Sequence, residues 1–74
     1  MALWVADAEI FSDEVPVRAR RVADGTWHVD GYGVLADRSA AITAVTLAEV
    51  EARPAKSAGD RLLIESLRAE LGLS

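Results

Sequence analysis

The chain has no cysteine, one histidine (His28) and one lysine (Lys56). Without thiols it can close no disulfide, and one imidazole cannot make a transition-metal cage from a single subunit. The same shortage leaves the usual nucleophile–base pairs of covalent catalysis unbuilt. Positive charge is scarce too: eight basic residues face twelve acidic ones, for a net charge of −4 and a pI near 4.7. That balance opposes general binding to phosphate backbones, which needs clustered Lys and Arg to displace counterions. No apolar run approaches the ~20 residues of a membrane span. The N-terminus lacks a basic stretch leading into a long apolar one, so no signal peptide is visible. These absences imply no catalytic residue, no cofactor, no metal and no membrane, and a cytoplasmic location is expected.

What the chain does have is apolar residues, 51% of 74. Fourteen of them are alanines, which bury little area each. A chain this short sits near the lower limit for a self-sufficient core, so surplus apolar surface predicts a homo-oligomer, with a dimer favoured. Seven arginines against one lysine, together with the alanines, fit GC-rich coding of an actinobacterial or phage kind.

The pattern predicts a single α+β domain over residues 1–74, with a three-stranded antiparallel sheet and two helices, the first packed on the sheet. Residues 1–14 read as an arm: LWVA could be a strand, and DAEIFSDE has an acidic, weakly helical look. Pro16 marks a boundary suited to the start of a strand. Residues 15–53 then supply a hairpin, a short strand and a helix. Apolar residues fall at odd positions on both hairpin arms: Val15, Val17 and Ala19, then Trp27 and Val29. A three-residue loop at Ala23-Asp24-Gly25 pairs odd with odd, setting Arg21 opposite Trp27 and Ala19 opposite Val29. The outer face then carries Arg18 opposite Asp30 and Arg20 opposite His28. Gly31-Tyr32-Gly33 turns the chain into a strand at Val34–Ala36. Ser39 or Asp37 caps a helix from about Ala40 to Arg53. Its small face is Ala41, Ala44, Val45, Ala48 and Ala52, with Leu47, Val50 and Thr43 opposite, so a second cover is required. Glu49 counts among its polar positions. A last helix, 57–71, opens at Ser57 with Asp60 three positions on, and Gly72 with Leu73 closes it.

Asp24-Gly25-Thr26-Trp27, Val29, Gly31-Tyr32-Gly33 and the Ala-rich helix from near Ser39 together resemble the N-terminal half of the HicB family of antitoxins. The resemblance covers about half the chain. It implies a β-β-β-α unit of partial ribonuclease-H-like fold that binds a small ribonuclease toxin. The DNA-binding segment that usually follows in that family has no match here, where one helix remains, too short for a helix-turn-helix.

Trp4, Ile10 and Phe11 on the arm and Leu47 and Val50 on the helix are the expected partner-binding residues, because one small core cannot easily cover them all. Arg18, Arg20, Arg21 and Arg38 form the one basic cluster, and with stacking by Tyr32 they are the alternative, nucleic-acid patch. His28 reads as a surface residue beside Arg20. Asp7, Glu9, Asp13 and Glu14 read as a solvated acidic arm, since no regular ligand spacing with a central glycine appears. The functional expectation is a non-enzymatic module that docks on another protein, antitoxin-like or a phage-encoded modulator of a host protein. The alternative is a nucleic-acid-associated regulator using the Arg18–Arg21 strand.

Overall fold

A computed structural model describes residues 3–72. The fold is α+β. Five strands, β1 (Leu3–Val5), β2 (Glu9–Ser12), β3 (Arg18–Ala23), β4 (Thr26–Val29) and β5 (Gly33–Leu35), form one antiparallel sheet in chain order. Two helices follow, α1 (Arg38–Glu51) and α2 (Ala58–Glu70).

The sheet has five strands and not three, because residues 3–12 are a hairpin and not an arm. Leu3 pairs with Ser12, Trp4 with Phe11 and Val5 with Ile10, and the reversal at Asp7 and Ala8 is closed by the Ala6 N–H donating to the Glu9 carbonyl at 2.8 Å. Of the carboxylates that give this stretch its helical look, only Glu9 lies in a strand. Asp7 sits in the reversal, and Asp13 and Glu14 lie beyond the end of β2. Pro16 does not start the next strand. It has no N–H to offer β2, and β3 begins two residues later at Arg18.

The central hairpin keeps the expected register, with Ala19 against Val29, Arg20 against His28 and Arg21 against Trp27. Its tip differs from the three-residue loop. Ala23 pairs with Thr26 across Asp24–Gly25, and a one-residue shift falls between Arg21 and Ala23. Of the two turn residues only Gly25 has positive φ (+73°), which glycine adopts without strain, and the irregularity below the turn preserves odd-to-odd pairing.

One face of the sheet carries the core. Ile10, Ala19, Trp27 and Val29 pack against Ala41, Ala44 and Val45 of α1. Alanines at 41, 44 and 48 let the helix axis approach closely. Asp37 is the N-cap, its carboxylate accepting from the Ala40 N–H at 2.7 Å. α2 packs on α1 and supplies the second cover, so Leu47 and Val50, opposite the alanines, are buried within the fold. The Ser57–Asp60 capping box is present, with reciprocal hydrogen bonds of 3.1 Å each. Gly72, at φ +75°, ends the helix by donating its N–H to Ala69, while Leu73 lies outside the described residues. Among the described residues no helix is long and apolar enough to cross a membrane.

Candidate functional site

Among the described residues no helix lies over the other face of the sheet. Alternation places Trp4, Glu9, Phe11, Arg18, Arg20, His28 and Val34 on that face, and the pairings arrange them in two rows. In the first row, Trp4 stands beside Phe11 and Phe11 beside Arg18. The two rings are stacked, with centroids 5.3 Å apart and planes 14° from parallel. The Arg18 guanidinium lies over the far side of Phe11, 5.0 Å from its centroid, and donates to Glu9 at 3.1 Å. Phe11 is thus held between an indole and a cation, and Trp4 is left 45% exposed on the edge strand. In the second row, Glu9, Arg20, His28 and Val34 follow one another across four strands.

Of the residues expected to bind a partner, only Trp4 and Phe11 are on this surface. Ile10, Leu47 and Val50 are buried in the fold itself, Ile10 under α1 and the other two on the far side of α1. They cannot serve as surface anchors.

The four arginines do not form one patch. Arg18 and Arg20 are on the bare face. Arg21 shares the inner face with Trp27 and, with Asp7, Gly25 and Arg38, lines a cleft of about 320 Å³ at the end of the sheet where α1 starts. Arg38 is anchored there by donating to the Ala6 carbonyl at 3.3 Å. Tyr32 is no free stacking platform either. Its hydroxyl donates to Glu51 at 3.2 Å, and burial, reinforced by the neighbouring Glu51 charge, pushes its pKa from 10.0 up to about 12.

Glu49 is the residue that sequence reasoning misplaced. It is 1% exposed, and it accepts a hydrogen bond from the Ser12 hydroxyl at the end of β2. Ser12 accepts in turn from the Glu14 N–H at 3.0 Å. Carboxylate oxygens of Asp13, Glu14 and Glu49 lie within 4.8 Å of one another, and these are the groups that could meet a hard cation. The hydroxyl of Ser12 instead satisfies the buried carboxylate. A second apolar feature is a groove of about 670 Å³ along α2, lined by Lys56, Ala58, Arg61, Leu62, Ile64 and Glu65.

No protein-family model matches the chain, and no curated protein or solved structure was found similar to it.

Proposed function

We propose that this chain is a non-enzymatic binding module that docks on another protein through the bare face of its sheet, centred on Trp4, Phe11 and Arg18. The observation that carries the reading is the stacked Trp4–Phe11 pair with Arg18 behind it, on a face that no helix covers. A large rigid aromatic beside an arginine is the residue chemistry that concentrates binding energy in protein interfaces. The HicB likeness adds support for a protein partner, and antitoxin-like inhibition is the kind of docking it implies.

The alternative, nucleic-acid binding, draws on Arg20 and His28 in the adjacent row. Three things weigh against it. Arg18 is already bonded to Glu9, both faces of Phe11 are occupied, and the chain as a whole is acidic. Catalysis has less support still, since His28 stands exposed with Arg20 and Val34 as its row neighbours.

Affinity capture from nuclease-treated lysate of the native host, with wild type and Trp4→Ala side by side, tests the proposal. The expected result is a protein retained by the wild type and lost by the variant, with unchanged circular dichroism. Retention that disappears on nuclease treatment would move the reading to the alternative. Retention indifferent to Trp4 would remove the bare face from it.

A further inference from the structure

The outer edge of β1 carries a hydrogen-bonding register of its own. β1 is the first strand of the sheet, and among the described residues nothing pairs with its far side. The Ala6 N–H points to Glu9, so backbone groups alternate along the strand from there. Trp4 turns its N–H and C=O toward Phe11, while Leu3 and Val5 turn theirs to the open edge. Natural sheets guard such edges with shortness, lysine, proline, inward charge or a bulge. β1 is short, at three residues, but Leu3-Trp4-Val5 carries no lysine, proline, inward charge or bulge, and both Trp4 and Val5 are exposed. The opposite edge offers a shorter extended run: β5 opens at Gly33 with φ +80°, which leaves Val34 and Leu35 as its extended part.

We propose that a second copy of this chain pairs antiparallel with β1 along this edge, about a two-fold axis through Trp4. The strand is self-complementary under that operation. Leu3 faces Val5 of the second copy and exchanges both backbone hydrogen bonds with it, and the symmetric pair does the same. Trp4 faces Trp4 of the second copy in a non-hydrogen-bonded pair, where side chains come closest. The aromatic row is thereby doubled and runs Arg18, Phe11, Trp4, then the same three in reverse. With the axis normal to the sheet, both α1 helices lie on one side of a continuous ten-stranded sheet, and both bare faces lie on the other. The interface is isologous and closed, so it ends at a dimer. It does not rest on the partner-docking reading, because it needs no molecule but this one.

The absence of native cysteine makes the register directly testable. In a non-hydrogen-bonded pair the two Cα atoms are about 4.5 Å apart, within the range a disulfide spans. Trp4→Cys, purified alone and exposed to oxidised glutathione, should form a covalent dimer. Val5→Cys should not, because its counterpart in the second copy is displaced along the strand. In sedimentation, wild type should shift from monomer to dimer as concentration rises, and Val34→Lys on the opposite edge should behave like it. Val5→Pro removes only an N–H that faces the open edge and should stay monomeric. If Val5→Pro fails to fold, the two cysteine variants decide. Equal cross-linking of both, or a wild type monomeric at high micromolar concentration, overturns the proposal.

Discussion

The two helices invert the expectation that a clean apolar stripe marks the buried helix. α2 has the clearer stripe, Ile64, Leu67 and Leu71 with Leu63 beside them, yet none of its residues is fully buried, and Leu62 is 67% exposed. α1 has apolar residues on opposite sides and seven buried positions. The cause is their place in the stack. α1 is the middle layer, with the sheet on one side and α2 on the other, whereas α2 is the outer layer and covered on one side only. Periodicity reports that a helix exists and which side turns inward; layer order decides how deep it goes. Alanine makes the middle layer possible, because larger residues at 41, 44 and 48 would hold the axis away from the sheet.

The sharpest break of this comparison is a pair of leucine truncations. Leu47→Ala removes a fully buried side chain of α1, on the side away from its alanines, and should cost about 2–5 kcal/mol. Leu62→Ala, on the outer layer, should change stability by no more than about 0.5 kcal/mol. Urea melts of the two variants read the difference directly, and similar costs would contradict the three-layer order. A smaller effect is expected at the start of α2. Ser57→Ala removes the hydroxyl that accepts the Asp60 N–H, and the loss should be about 1 kcal/mol. Asp60 helps to report it. Its carboxyl is held below the usual range, first by the Ser57 backbone N–H and then by Arg53, which donates to it at 2.6 Å. A Ser57→Ala protein with an unchanged urea midpoint would mean that α2 is held by its contacts with α1 alone.

Much of this architecture is legible in the residues, and the misses have physical reasons. The β3–β4 register follows from apolar residues at odd positions on both arms, because a one-residue slip would expose Trp27 and Val29. β1 is open to a strand reading, but Leu3-Trp4-Val5 is apolar throughout and shows no alternation to set a register, and β2 escapes such reasoning because the carboxylates around it imitate a helix. Arg38 sits in sequence beyond the hairpin arginines, and only the approach of α1 to the β1–β2 reversal parts it from Arg18 and Arg20. Glu49 is the deepest miss. A glutamate on a helix reads as solvated, and the hydroxyl that satisfies it comes from Ser12, 37 positions away on a strand that was not recognised. Trp4 and Phe11 were identifiable as too apolar for water, but their stacking depends on that same unrecognised hairpin.

The smallest effect concerns the polar clasp between the glycine turn and the two helices. Tyr32 donates to Glu51 at the end of α1, and Arg68 of α2 stands 4.0 Å from the same carboxylate. Partial burial and the Glu51 charge both disfavour the phenolate, which is why the pKa of Tyr32 rises from 10.0 to about 12. The sign follows from linkage. Below the unfolded value the phenol is neutral in both states, and its contribution to stability is complete. Between that value and about 12 the unfolded chain releases the proton while the folded chain keeps it, so stability falls as pH rises through the window. The side chain is only partly buried, so solvent screening keeps the slope shallow. Urea midpoints measured across this alkaline range should decline more steeply for wild type than for Tyr32→Phe, which has no proton to lose. Parallel declines would mean that the clasp opens before Tyr32 ionises, leaving the glycine turn held to α1 by packing alone.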